Sequence, residues 1–189
     1  MDKARLFRRG VHCLIALAPM YYLLPDDLPI IGLRRWVLLI AFFSGIAAFE
    51  AFRLRKGIVV MGLRPHEKTS IASFVWAAAG ITAALWLLPR DIASASLVGM
   101  AFADPLAGEL RGARRPFSLQ ILLPTLAYMG IAAAALLVFE HRTSGMVVAL
   151  SALGAVSAVL SERARIPHVD DDFVMIVVPG ALMTILVSL

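Results

Sequence analysis

The carboxylates of this 189-residue chain fall in a few groups. Asp170, Asp171 and Asp172 are consecutive, and three like charges so close together are costly unless bases or a bound cation offset them. Asp104 stands in an apolar stretch beside Pro105, which cannot donate a backbone hydrogen bond and tends to bend a helix. A divalent cation such as Mg2+, which prefers carboxylate oxygens, would offset the charge of the three aspartates, as would the neighbouring Arg163 and Arg165.

Basic side chains accompany the carboxylates. Arg9 lies just before His12, and Arg53 follows Glu50 at the i, i+3 spacing of a helix. Carboxylates hold a metal ion, and bases neutralise the charge that develops on a transferred phosphoryl group. The mixture therefore favours a phosphorylated substrate bound with Mg2+. The remaining candidates are Glu67, Arg111, Arg114, Arg115 and Glu162.

Several of these residues also have an ordinary structural explanation. His12 could be an interfacial histidine, and Glu50 with Arg53 could be an intrahelical ion pair. The basic cluster after Glu109 could contact anionic lipids and nothing else. Asp104 is harder to explain in this way, because an ionisable residue beside a proline in an apolar segment indicates a polar cavity.

The composition indicates a membrane protein. Hydrophobic residues make up 60% of the chain and charged residues 16%, whereas soluble domains have roughly 45–50% and 25%. The mean hydropathy is +0.84. A single cysteine, Cys13, excludes an internal disulfide and a cysteine-rich metal site.

Seven apolar runs have about the length needed to cross roughly 30 Å of hydrocarbon. They cover residues 11–25, 34–53, 70–88, 91–110, 117–139, 143–161 and 173–189. The first run is short and Pro179-Gly180 breaks the last, so six spans and one partial element is an alternative. We expect an all-α, polytopic integral membrane bundle of about seven transmembrane helices, forming one domain over residues 1–189.

The distribution of basic residues predicts the orientation of this bundle. Fourteen of the 18 lysines and arginines fall in alternate connections, on the side that holds the amino terminus. The positive-inside rule makes that side cytoplasmic. The carboxylates described above fall on the same side, so an active site is expected at the cytoplasmic face of the cell's inner or plasma membrane.

Four short elements resemble, in order along the chain, those of a known family of membrane enzymes. They are Arg8-Arg9-Gly10-Val11-His12, Glu50-x-x-Arg53, Asp104-x-x-Ala107-x-x-x-Arg111, and Glu162 followed by Asp170-Asp171. The family is that of the CTP-dependent lipid-alcohol kinases, which includes dolichol or polyprenol kinase, phytol kinase and CTP-dependent diacylglycerol kinase. Asp172 stands where that family has asparagine, and the segment Arg114–Ser118 departs from its pattern.

The resemblance implies a kinase that transfers the terminal phosphoryl group of CTP to a polyprenol-, dolichol- or phytol-like alcohol within the bilayer. It implies that Asp104, Asp170 and Asp171 hold Mg2+, and that Arg9, Arg111 and Arg114 contact phosphate oxygens. Arg53, Glu67 and Glu162 are assigned to cofactor binding with them. His12, with Asp104 and Asp171, is a candidate catalytic residue and would handle the alcohol proton.

Two other functions stay open from sequence alone. A cytidylyltransferase that makes a CDP-lipid needs a similar cavity, and a non-enzymatic transporter or assembly protein is the other alternative. No nucleic-acid partner is expected, and the oligomeric state is open.

The predicted orientation can be tested by cysteine labelling in a Cys13→Ser background. We expect three single cysteines to react only from the cytoplasmic side and three only from outside. Reaction of positions 114 and 142 from the same side would contradict the span count. The inner positions are 56, 114 and 165, and the outer positions are 27, 90 and 142.

Overall fold

A computed structural model describes residues 3–28, 32–139, 142–164, 166–167 and 169–189, with side chains from residue 6 onward. The described residues form seven α-helices, and this confirms the predicted all-α class. They are α1 (Lys3–Leu14), α2 (Trp36–Lys56), α3 (Ser73–Leu87), α4 (Arg90–Gly112), α5 (Phe117–Phe139), α6 (Ser144–Arg163) and α7 (Asp171–Ser188).

Three short elements connect these helices. A 3-10 segment, Ile15–Leu23, continues α1, and a 3-10 turn, Pro65–Lys68, lies between α2 and α3. Strands β1 (Asp27–Leu28) and β2 (Leu33–Arg34) form a small antiparallel pair before α2. Each of the seven predicted apolar runs overlaps one of the helices.

Length and composition would let four of the described helices cross a membrane, namely α2, α5, α6 and α7. Helix α3 is apolar but has only 15 residues. Helix α4 is long enough, at 23 residues, but it carries charged residues at both ends and Asp104 within it.

The prolines inside the helices do not end them. Helix α4 runs through Pro105, and α7 runs through Pro179 without the break that the alternative of six spans and one partial element assumed. A proline inside a helix leaves a carbonyl of the preceding turn without its usual donor. The thiol Sγ of Cys13 lies 3.9 Å from the Ala101 carbonyl oxygen, and the Ser96 hydroxyl donates to the Ile176 carbonyl at 2.6 Å. The thiol of Cys13 thus contacts the carbonyl that Pro105 frees, and the Ser96 hydroxyl contacts a carbonyl adjacent to the one that Pro179 frees.

Helix α4 is the centre of the bundle and packs against α1, α3, α5, α6 and α7. Small residues on α4 and α6 allow this close packing, because bulky side chains would hold the backbones apart. The fully buried ring of Tyr128 on α5 lies against both Gly99 of α4 and Gly154 of α6.

The two ends of the bundle differ in the side chains that they hold. We call the end that holds His12, Arg64, Asp104 and Asp171 the polar end. At the opposite end, the fully buried carboxylate of Asp91 pairs with Arg142, and the rings of Trp36 and Trp86 stack at 6.4 Å. All the candidate site residues of the sequence lie toward the polar end.

Two glycine substitutions test the packing around α4 with opposite expected signs. A Cβ atom at Gly99 would lie 2.8 Å from the ring of Tyr128, so Gly99→Ala should destabilise the fold by about 1–3 kcal/mol. Gly130, on α5, has open space at that position. Gly130→Ala should therefore stabilise by roughly 0.5–1 kcal/mol, through the lower entropy of the unfolded chain. Melting temperatures in detergent measure both, and equal shifts in one direction would contradict the described packing.

Candidate functional site

The centre of the candidate site is the start of α7, where three carboxylates are held together. Asp170 is the N-cap of this helix, and its Oδ1 accepts a hydrogen bond from the Asp172 backbone at 3.2 Å. The other oxygen, Oδ2, accepts from Arg64 at 3.1 Å. One oxygen each from Asp170, Asp171 and Asp172 lie within 4.8 Å of one another.

A second acidic group forms around His12, on α1. His12 Nε2 is 3.4 Å from Asp104 Oδ2, and its Nδ1 is 3.9 Å from Asp172 Oδ1. Helix α4 brings Asp104 to this place, and α7 brings Asp172. The imidazole is buried, and its Nε2 makes no hydrogen bond to any described residue.

The predicted metal set of Asp104, Asp170 and Asp171 differs from the groups that the structure brings together, and it stays a prediction. Asp104, Asp170 and Asp171 are not among the groups of three whose ligand atoms the described residues bring within 4.8 Å. Asp172 belongs to both groups that do meet this distance, although its place in the sequence pattern was the doubtful one. The reason is helical geometry: position 172 points from the first turn of α7 back toward α1 and α4, where it is 7% exposed.

Among the described residues, Arg64 forms ion pairs with two of the three aspartates, and the sequence analysis gave it no role in the site. Its guanidinium is 3.1 Å from Asp170 and 3.7 Å from Asp171. It lies in the connection between α2 and α3, after Gly62, whose φ of 96° favours glycine, and before Pro65. This turn composition was the available signal, but only the fold shows which helix the loop meets.

A buried polar network that includes Arg53 and Glu67 fixes the position of that loop. Arg53 is fully buried and donates to both oxygens of Glu50, at 2.6 and 2.7 Å, and to the carbonyls of Glu67 and Ser70. The Glu67 carboxylate accepts from the Arg64 backbone at 2.6 Å. Neither Arg53 nor Glu67 lines either polar cavity described below, and the contacts described here hold the loop; their role in cofactor binding stays a prediction.

The other predicted bases are divided between the site and the surface. Arg111 pairs with the buried carboxylate of Glu162, and Arg9 pairs with Glu109. Arg114 is exposed in the turn after α4 with φ of 50°, and it lines neither polar cavity. Its predicted contact with phosphate is therefore not supported by its position.

Two polar cavities that share part of their lining surround these groups. The larger polar cavity has a volume of about 670 Å³ and the smaller about 260 Å³. Arg64, Arg111 and Asp171 line both. The smaller cavity also contacts His12, and the larger contacts Glu162. The larger volume lies within the usual range of small-molecule sites.

Arg163 is a third arginine at the wall of the larger polar cavity, beside Arg64 and Arg111. Its guanidinium lies 4.7 Å from the centre of the Phe117 ring. Its Nε and Nη2 atoms are buried and make no hydrogen bond within the described part of the chain. These two donors lie on one edge of the guanidinium, a geometry that suits bidentate binding of an anion.

An apolar groove begins where the polar cavities end. This groove, of about 560 Å³, lies between α1 with its 3-10 extension, α2 and α3. Its lining is almost entirely apolar, but His12, Asp172, Ser73 and Arg8 close one end. His12 and Asp172 therefore face both the smaller polar cavity and the apolar groove.

The carboxylate cluster perturbs the titration of Asp170. Burial, together with the neighbouring carboxylate of Asp171, raises the pKa of Asp170 to about 7, although Arg64 opposes the shift. The crowded negative charge is thus only partly compensated by the arginines. A bound cation would remove the remaining repulsion.

The side chains present are of the kind that bind a magnesium ion. Carboxylate oxygens are among its usual ligands, and one oxygen from each of Asp170, Asp171 and Asp172 lies within 4.8 Å of the others. With the arginines around it, the arrangement suits a polyanion bound together with a cation.

Comparisons of the chain with protein-family models, curated proteins and solved structures find no match.

The raised pKa of Asp170 predicts the pH dependence of the metal-free protein. A folded-state pKa of about 7, against about 3.9 in the unfolded chain, means that the folded state holds the proton more tightly. This contribution to stability is complete below about pH 4 and is lost as the pH rises to about 7. The melting temperature in chelator should therefore fall from pH 5 to 8, relative to Asp170→Asn, which keeps an N-cap side chain.

Asp27→Asn, at an exposed position at the opposite end, is the matched control and should keep the wild-type pH profile. An Asp170→Asn profile identical to wild type would contradict the described cluster.

Proposed function

We propose that the chain is a membrane-embedded kinase that transfers the terminal phosphoryl group of CTP to an isoprenoid lipid alcohol. In this proposal the helices form a bundle of about seven spans, with α1 and its 3-10 extension counted as the first. The polar end lies at the cytoplasmic face, as the distribution of basic residues predicts. The choice of CTP rests on the family resemblance.

The exposed surface of the helices supports the membrane location. Large apolar side chains point outward along the bundle, including Val138 at 79% exposure, Phe117 at 65% and Leu160 at 63%. Soluble monomers rarely expose so much contiguous apolar surface. The ionisable residues gather at the two ends, which is where a bilayer tolerates them.

The observation that carries the proposal is the position of His12. It lies between a polar cavity lined by arginines and aspartates and a groove lined by apolar side chains. A hydrophilic phosphoryl donor and a lipid acceptor could therefore meet at one imidazole. A transporter would need polar groups along a path between the two ends, whereas these cavities lie toward one end.

The proposed ligands of Mg2+ are Asp171 and Asp172, with Asp170 beside them. When bound there, the ion would neutralise charge on the donor's phosphates. Arg64 and Arg111 line both polar cavities and would contact the phosphate oxygens, and Arg163 lines the larger one. The nucleoside would then occupy the larger polar cavity.

The transfer step uses the side chains on the groove side of the site. The alcohol oxygen bonds to the terminal phosphorus as the bond from that phosphorus to the bridging oxygen breaks, and CDP leaves. His12 Nε2 is free of hydrogen bonds to the described residues and accepts the hydroxyl proton. Asp104 and Asp172 lie on either side of the ring and stabilise the imidazolium that forms.

Two conservative substitutions separate catalysis from folding. Asp104→Asn and Asp171→Asn keep side-chain shape but remove charge, so each should reduce transfer at least a hundredfold, about 2.7 kcal/mol at the transition state. Activity per folded molecule and melting temperature are the measurements. Asp27→Asn is the control and should retain wild-type activity. Near-normal turnover in both site variants, with lowered stability, would show that the cluster is a structural ion-pair network and not a catalytic site.

The proposed reaction itself is tested by the fate of labelled CTP. Purified protein with Mg2+ and geranylgeraniol or undecaprenol should move label from the γ-phosphate into lipid, and CTP should be a better donor than ATP. With the corresponding lipid monophosphate as acceptor, transfer of the CTP α-phosphate with release of pyrophosphate would identify a cytidylyltransferase instead. Absence of both transfers, across polyprenol, phytol and diacylglycerol, would overturn the enzymatic proposal.

A further inference from the structure

We propose that the apolar groove holds the first part of one extended lipid tail and discriminates acceptors by that part alone. The inference rests on the proposed function, because it takes the occupant to be the acceptor alcohol. It adds the path of the tail, the residues that select it, and the point beyond which length ceases to matter.

The groove exists because α1 and α2 do not pack together. Helix α1 rests on α4 and α2 rests on α3, while contact between α1 and α2 is slight among the described residues. The gap between them has Leu14 and Leu17 on one wall and Phe42 on the other. Ala77 and Ala78 of α3 form its floor, and their small side chains leave it deep.

The charge distribution along the groove matches a molecule with one polar head. His12, Asp172, Ser73 and Arg8 are at one end, and the other lining residues are apolar or small. A hydroxyl at His12 would thus have hydrogen-bonding partners. The hydrocarbon chain attached to it needs none, and it would contact apolar side chains. An alcohol with a hydrocarbon tail meets both conditions.

The length of the groove limits how much of the lipid tail it can contact. On α3 the lining extends from Phe74 to Leu85, which is about 16 Å of helix at ~1.5 Å per residue. This covers roughly half of a ~30 Å hydrocarbon layer. The side of the groove is open, since Leu14, Leu17 and Phe42 are 45–60% exposed, so a longer tail can leave it sideways.

Photo-cross-linking locates the tail without requiring turnover. The probe is a geranylgeraniol analogue with a diazirine midway along its chain, added to the full-length protein in lipid nanodiscs. Cross-links should map to the groove, at Leu39 or Ala77, and excess geranylgeraniol should compete with them. Equal labelling of outward-facing Leu137 and Val156, without competition, would show that the groove holds only bulk lipid and would overturn the inference.

A bulky side chain in the floor tests discrimination by the groove. Ala77→Leu should lower kcat/KM for geranylgeraniol and undecaprenol at least tenfold, with little effect on prenol, whose single isoprene unit stays near His12. Ala79→Leu, on the same helix but outside the groove lining, is the matched control and should leave all three unchanged. Wild-type kcat/KM should be similar for geranylgeraniol and undecaprenol.

Two results would overturn the inference while leaving the kinase proposal intact. They are an equal loss with prenol in Ala77→Leu and a steady rise of wild-type kcat/KM up to undecaprenol. Preference for two-chained diacylglycerol would overturn both the inference and the proposed isoprenoid acceptor. Failure of the kinase proposal looks different, because wild-type protein would then phosphorylate no alcohol, while competed cross-links in the groove would still support the tail site.

Discussion

Repulsion among carboxylates at the start of α7 is the constraint on which the polar end depends. Asp170, Asp171 and Asp172 are consecutive in sequence, and the fold adds Asp104 from α4. The amino terminus of a helix offsets part of such charge, since its free N–H groups and dipole favour anions. The remainder falls to basic side chains from other elements, and this explains why a loop, α1 and α4 all converge there.

The positions of those basic side chains depend on buried polar contacts elsewhere. Arg64 reaches the aspartates because the Glu67 carboxylate accepts a hydrogen bond from its backbone. Arg53 and Glu50 hold the same loop through hydrogen bonds to its backbone. Removing one partner of such a buried pair typically costs about 3–5 kcal/mol, because a charge is left without compensation. The network therefore contributes to the site by holding the loop that carries Arg64. Its residues have the spacing of functional residues in the sequence, but in the structure they line neither polar cavity.

The sequence predicts the helices and the polar end well, because hydropathy runs and the side on which charges fall are local properties. Sequence alone left open whether Pro179 divides the last helix, because the Ser96 hydroxyl that contacts the backbone near it comes from another helix. Site membership was predicted in part: His12, Arg9, Arg111 and Glu162 line the polar cavities, while Arg114 does not. Arg64 was missed because its partners lie more than a hundred residues away.

The central claim is that the aspartates of α7 bind a divalent cation shared with a nucleotide. Electron paramagnetic resonance of Mn2+ in place of Mg2+ tests this directly, with a non-hydrolysable CTP analogue and full-length protein. The account predicts a bound Mn2+ signal with hyperfine coupling to phosphorus, and loss of that signal in Asp172→Asn but not in Asp27→Asn. A wild-type protein that binds no Mn2+ with or without the analogue, or the same spectrum in Asp172→Asn, would contradict it.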